Sequence, residues 1–455
     1  MVPSAFATKS RVELVPQSMA ATRPRAGPVT GVPRSVHNGA LSDGRTWLGA
    51  GRGDTTEPAG SVPPWQSTGW TPILCLRWRR RARTCHDARV PFSDRLLMGP
   101  GPSNPYPEVM LALARPVVGH LDPEFLALLD ETNDRLRLAF GTSNALTLPI
   151  SGTGSAGMEA AFVNFVRTGD PVVIGVNGVF GERMCEVAAR CGADVVRVDA
   201  PWGTPLTPSA LLEAHPAPSI IALVHAETST GVRNDITPLG AEKGDALLLV
   251  DMVTSLGGIE VAVDEWGVDV AYSGTQKCLG VPPGLAPLTV SDAARARLVE
   301  RPSSWYLDLN LLSRYVDGGT EGGRVYHHTA PVTMVAALHA GLGVVIEEGF
   351  AAAHARHAEC GQLLRDGLEQ LGLELFAEAT HRLPQLTTVR VPATGPAGRT
   401  EADCRRLLLE RFGIEIGAGA GQLAGQVWRI GCMGHTARRR NVVTLLGALA
   451  EVLGR

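Results

Sequence analysis

The stretch PVVIGVNGVFGERMCEVAARCGADVVRV (residues 171–198) passes from a strand-length apolar run, through a helical segment, into a second strand-length run. Val172 to Val176 is the first run, Gly181 to Cys191 the helix, and Val195 to Val198 the second run. Moving outward, the helical Pro208 to Ala214 follows, then the apolar runs Ile220 to Val224, Ala246 to Val250 and Val268 to Tyr272. Strands buried on both faces read as near-continuous apolar segments, and their alternation with helices marks a βαβ series. The expected fold is therefore α/β, a mostly parallel central sheet flanked by helices. In such sheets ligands bind beyond the carboxyl ends of the strands, so the polar residues just after each run hold the chemical interest.

The alternation gives way after about residue 345. A long helix (Phe350 to Leu371), a strand (Leu386 to Val391), a helix (Glu401 to Phe412), a strand (Val427 to Ile430) and a last helix to Leu453 suggest a smaller C-terminal α+β domain. The expected division is a tail at 1–92, an arm and large domain at 93–345, and a small domain at 346–455. The tail mixes Pro, Gly, Ser, Thr and Arg without sustained periodicity, so it is expected to be disordered. Its basic run, Arg77 to Arg83, fits a solvated linker best. An organelle transit segment and a start codon placed too far upstream remain alternatives.

With 455 residues and 44% apolar content, the chain can bury two or more cores. The formal charge is -3, but residues 1–90 hold 13 basic and 5 acidic residues, which leaves -11 on the remainder. A globular part that acidic is a poor polyanion binder, and nucleic acid is not an expected partner. The eight cysteines are scattered, without CxxC or zinc spacing, so neither a disulfide framework nor a metal is indicated. A reducing compartment fits: the cytoplasm, or an organelle matrix if the tail is a transit peptide. No apolar run approaches the roughly 18 residues of a spanning helix.

Lysine is scarce, confined to Lys9, Lys243 and Lys277. Only lysine among the basic side chains can become a neutral amine nucleophile at accessible pH and form a Schiff base. Lys9 lies in the tail and Lys243 in the turn AEKGD, whereas Lys277 follows VDVAYSGTQ at the expected ligand edge of the sheet. A surface lysine is the bland alternative, and YSGTQKCLGVPPG has no solvated charge pattern to favour it. Asp251 directly follows the apolar ALLLV, where a carboxylate points into the cleft, toward a cation such as a pyridinium nitrogen, or caps a helix or binds magnesium. SGTGS (Ser151 to Ser155) precedes a helical run, a placement that suits a phosphate but also ordinary capping. Arg429, inside VWRIG, needs an anion, either a substrate carboxylate or an internal acid.

Together these segments resemble the class V, fold-type I pyridoxal-phosphate aminotransferases, most closely the alanine:glyoxylate and serine:glyoxylate (serine:pyruvate) group. The resemblance runs in order through LLMGPGPSN, VVGH, LPISGTGS, GVNGVFGER, HAETSTGV, VDMVTSLGG, YSGTQKCLGVPPG, YHHTAPV and VWRIGCMG. It implies pyridoxal 5'-phosphate as cofactor, with Lys277 as the lysine bonded to it and Asp251 paired to its ring nitrogen. It further implies that Thr153, Gly154, Ser155 and Gln276 hold the phosphate, that Thr228 lies near the ring with Val253, that Phe180 stacks on it, and that Arg429 clamps the substrate α-carboxylate. Tyr326 and Thr329 match positions that reach the neighbouring subunit's phosphate, which implies a homodimer with shared sites. Two departures stand out: the closest animal relatives commonly carry tryptophan where Phe180 stands and histidine where Ser155 stands.

The activity implied is a ping-pong transfer of an amino group from a small amino acid, alanine or serine, to glyoxylate or pyruvate. Alternatives within the cofactor class are ureidoglycine:glyoxylate or pyridoxamine:pyruvate aminotransferase and cysteine desulfurase. Outside it stands a non-catalytic regulator that binds a phosphate-bearing ligand.

Overall fold

The computed structural model describes residues 92–317, 324–392 and 398–455. The expectation of a disordered tail falls on residues outside that set.

Seven strands form the central sheet: β1 (Leu146–Ser151), β2 (Pro171–Val176), β3 (Asp194–Asp199), β4 (Ile220–Val224), β5 (Leu247–Asp251), β6 (Val270–Tyr272) and β7 (Leu285–Val290). Their spatial order is β1-β7-β6-β5-β4-β2-β3. The pairs β3–β2, β2–β4, β4–β5 and β5–β6 are parallel, and β7 runs antiparallel to both neighbours. Every residue of β4 and β5 is buried, as continuous apolar runs require.

The antiparallel insertion of β7 carries an oddity, because Pro287 sits mid-sheet, where a missing N–H normally forbids proline. Its partner across the ladder is Pro149 of β1. They meet at a rung where neither residue points its backbone N or C=O at the other strand: the Pro287 carbonyl faces β6, where it accepts Ser273 N at 2.7 Å, and Pro149 lies on the edge strand β1, so the β1–β7 ladder loses no hydrogen bond.

Helices α1 (Pro123–Phe140), α2 (Gly154–Val163), α3 (Val179–Arg190) and α4 (Val332–Glu348) flank this sheet. Helix α1 shows why its ends lie where they do. Asp122 caps its first turn by accepting from Glu124 N, Pro123 occupies the first helical position, and Gly141 closes it in the left-handed region at φ 62°. Phe125, Leu129, Leu136 and Phe140 recur at helical spacing and are buried in the core of the large domain. Each such side chain stabilises the fold by about 1.5–3 kcal/mol.

Helix α5 (Phe350–Gln370) meets α4 at an 86° bend, with Gly349 at φ 85° between them. It starts in the large core with Ala353 and ends in a second core with Cys360, Leu364 and Leu368. That second core belongs to the smaller C-terminal α+β domain, built from β8 (Leu386–Arg390), α6 (Glu401–Phe412), β9 (Gly417–Ala418), β10 (Val427–Gly431) and α7 (Arg439–Leu453). Its sheet is antiparallel in the order β8-β10-β9. Leu96–Leu97 from the start of the described chain pairs with Ile414–Glu415, and Met98 is buried in the same core. Lys243, the lysine of the AEKGD turn, is consumed structurally in an ion pair with buried Asp269. Among the described residues, no single helix is long and apolar enough to cross a membrane.

Candidate active site

The carboxyl ends of β4, β5 and β6 deliver side chains to one cavity. It encloses about 570 Å³ of empty space, partly open to solvent, and Gly154, Ser155, Phe180, Thr228, Asp251, Val253, Gln276 and Lys277 all line it. Sequence reasoning had placed these eight at a single ligand site. A larger crevice, of about 690 Å³ and lined by His225, Arg233 and Trp266 among others, contains no lysine, so amine chemistry does not belong there.

Lys277 is 8% exposed, and burial above all brings its amine down to about 8, with the Arg429 charge acting in the same direction. The loop after β6 that carries it is clasped by the GPGPSN turn. Lys277 Nζ donates to the Pro100 carbonyl, Ser103 Oγ donates to the Lys277 carbonyl at 2.8 Å, and Ser103 N donates to the Gln276 carbonyl at 2.9 Å. Gly101, at φ 109°, is required here, because a Cβ would lie 2.7 Å from Lys277 Nζ.

Asp251 ends β5 and is 3% exposed, with Oδ1 accepting Val253 N at 2.8 Å. Burial pushes its carboxyl up to about 6. The Tyr272 hydroxyl neighbours it without a hydrogen bond of ordinary geometry. Gly154 and Ser155 open helix α2, whose N-cap is Thr153; Thr153 is exposed at the rim, not part of the cavity lining. A Cβ at Gly154 would meet Val253 Cγ2 at 2.8 Å, so glycine keeps this corner open. Gln276 Oε1 is buried without a hydrogen-bond partner among the described residues, as a side chain awaiting a ligand would be.

Arg429 projects from β10, with Nε donating to the Ala418 carbonyl at 2.7 Å. Its guanidinium has been lowered by burial, and the acid that counteracts this is Glu227. Tyr326 and Thr329 do not join the cavity of their own chain. Tyr326 is 56% exposed, its ring 5.2 Å from that of His120. Their segment is tied to the SGTGS loop through His328 Nε2 and Ser151 Oγ, 2.9 Å apart.

The thiol beside the lysine has the wrong character for a sulfur nucleophile. Cys278 is fully buried, its Sγ donates to the Thr254 carbonyl at 3.4 Å, and burial pushes it up to about 12. The sequence also concealed two participants. Arg183 lines the cavity one helical turn beyond Phe180, its guanidinium 5.0 Å from that ring's centroid. Glu227 is a buried carboxylate after the β4 run, the same signal that identified Asp251.

A doubly flanked α/β sheet with a small C-terminal α+β domain, holding a buried amine opposite a buried carboxylate, is the architecture of fold-type I pyridoxal-phosphate enzymes. Residues 105–435 match the family Aminotransferase class-V. Among curated relatives, alanine–glyoxylate aminotransferase of Oryctolagus cuniculus is 40% identical over 368 residues, covering 79% of this chain and 92% of its own. The (S)-ureidoglycine–glyoxylate transaminase of Bacillus subtilis (strain 168) is 39% identical over 384 residues, covering 79% of this chain and 90% of its own. The crystal structure of alanine–glyoxylate aminotransferase from Nostoc sp. superposes with a TM-score of 0.75 at 47% identity, covering 80% of this chain and 97% of that one. This chain belongs to the class V aminotransferases.

Proposed function

We propose that the protein transfers the amino group of a small amino acid, alanine or serine, to glyoxylate or pyruvate in two half-reactions, using pyridoxal 5'-phosphate held at Lys277. The observation that carries this reading is the buried Lys277 amine, brought to about 8 and facing the same cavity as Asp251. The donor set suits the cofactor: an amine for its aldehyde, a carboxylate for its ring nitrogen, an open helix start with an unpaired Gln276 for its phosphate, and Phe180 and Val253 as apolar faces. When bound, pyridoxal phosphate supplies the aldehyde that takes up the amino group and a ring that accepts electrons from the substrate α-carbon.

The residues divide the remaining work. Lys277 Nζ would hold the cofactor's aldehyde carbon and, when free of it, would serve as the base for the proton of the substrate α-carbon. An amine near 8 is well matched to that task at neutral pH. Asp251 would accept the hydrogen bond of a protonated ring nitrogen, and a cation there would favour its charged form. Arg429 grips the α-carboxylate through the fork left free by its Nε contact to Ala418. With Arg183 engaged over the Phe180 ring and with Ser155 Oγ, Arg429 is the one arginine assigned to the substrate, which suits monocarboxylate donors. Tyr326 and Thr329 complete the phosphate site from the partner subunit of a homodimer.

The similarity to the Bacillus subtilis relative supports ureidoglycine as an alternative donor. A matrix of donors against glyoxylate and pyruvate tests both readings. The purified protein should be yellow, and its visible band should shift with alanine or serine. Colourless protein that ignores added pyridoxal phosphate contradicts the proposal.

A further inference from the structure

Glu227 is fully buried, and the reaction as described gives it no task. An ionised carboxylate is costly to bury unless its acceptor sites are filled. Here four donors fill them. Oε1 accepts Ser229 N at 2.9 Å and Ser229 Oγ at 2.6 Å, while Oε2 accepts Phe180 N at 3.1 Å and Gly181 N at 3.4 Å. Ser229 Oγ in turn accepts Val179 N at 2.9 Å. The free N–H groups of the first three residues of α3 are thus held by a loop distant in sequence, in place of a cap of the helix's own. The residue before the helix is Gly178, where a Cβ would lie 2.3 Å from Glu227 Cδ and 2.4 Å from Ser229 Oγ. The carboxylate fills the space that a local capping side chain would occupy.

The two segments joined in this way are two walls of the cavity. Phe180 lines it from α3, and Thr228, between Glu227 and Ser229, lines it from the loop after β4. We propose that Glu227 is a positioning residue for the cofactor, fixing the Phe180 ring and the Thr228 hydroxyl relative to one another. This rests on the aminotransferase reading above. The same charge also lies near Asp251, Lys277 and Arg429.

The test uses the full-length apoprotein titrated with pyridoxal phosphate. A glutamine offers an N–H where the carboxylate accepts one, so Glu227→Gln should weaken cofactor binding at least about tenfold, as expected for losing a hydrogen bond to a charged group. It should also reduce the visible circular dichroism of the bound cofactor and speed amide exchange at Val179–Gly181, with exchange in α7 unchanged. Ser229→Ala keeps the carboxylate but removes both its Oγ donor and the acceptor for Val179 N; it should give the same changes at a smaller size, because Ser229 N, Phe180 N and Gly181 N still hold Glu227. This second variant carries the test if Glu227→Gln does not fold. Wild-type affinity and dichroism in the folded variants overturn the proposal, as does a lowered melting temperature with no local change at Val179–Gly181. If wild-type protein itself takes up no cofactor, the aminotransferase reading falls and this inference falls with it.

Discussion

At pH 7 an amine of pKa 10.5 is neutral in about one molecule in 3,000, and one brought to about 8 in about one in ten. That difference makes Lys277 reactive, whereas the Lys243 amine is engaged in an ion pair with Asp269. Capture of pyridoxal phosphate by apoprotein, followed by its visible band, should rise with pH around a midpoint near 8, and Lys277→Arg should abolish it. Asp251 makes the opposite trade of stability for chemistry. Its carboxyl lies at about 6 in the folded chain against 3.8 when free, so the folded state binds the extra proton between these values. Stability of the apoprotein therefore falls as pH rises from about 4 to 6 and stays lower above that. Asp251→Asn, which keeps the acceptor for Val253 N, should stabilise apoprotein at pH 8 by up to about 3 kcal/mol while lowering kcat about 100-fold or more. Denaturant titrations at pH 4 and 8, beside steady-state kinetics, check both halves.

Among the elements, α5 joins the two cores, and its fit depends on Gly361. A Cβ there would come within 2.1 Å of the Pro384 carbonyl oxygen. Alanine inside a helix normally stabilises by up to about 1 kcal/mol relative to glycine. Gly361→Ala should instead cost about 1–3 kcal/mol, visible as a lower melting temperature, because backbone cannot move aside as a side chain does. Periodicity made most elements legible. Helix α6 runs over Glu401–Phe412 as its pattern suggests, helped by a capping box between Thr400 and Asp403. Strands β1 and β7 were not legible, because Pro149 and Pro287 each argue against a strand, and only the assembled sheet, with β1 at its edge and the two prolines at a rung without ladder hydrogen bonds, removes the objection. Lys277 stood out because lysine is scarce and this one follows VDVAYSGTQ at the ligand edge of the sheet, and Asp251 because a carboxylate followed a strand-length apolar run. Glu227 carried that signal but lay in a hairpin rich in hydroxyls, and its partners on α3 are 46 and 47 residues away in sequence. Contacts of that range leave no trace in local pattern.

In the whole molecule the site is incomplete within one chain if Tyr326 and Thr329 serve the partner's phosphate. Their exposure in the single chain, beside the SGTGS loop, agrees with that arrangement. Sedimentation should therefore give twice the 48.0 kDa chain mass. Tyr326→Ala should weaken cofactor binding although Tyr326 lies outside its own chain's cavity. Mixed dimers of Lys277→Ala with a Tyr326→Ala/Thr329→Ala chain should hold one intact site and regain activity that neither parent shows; a fully active monomer contradicts shared sites. The most direct measurement for the whole account is borohydride reduction of the yellow protein followed by peptide mass mapping. The account predicts one reduced pyridoxyl adduct per chain, on Lys277. An adduct on Lys9 or Lys243, or none, would contradict it.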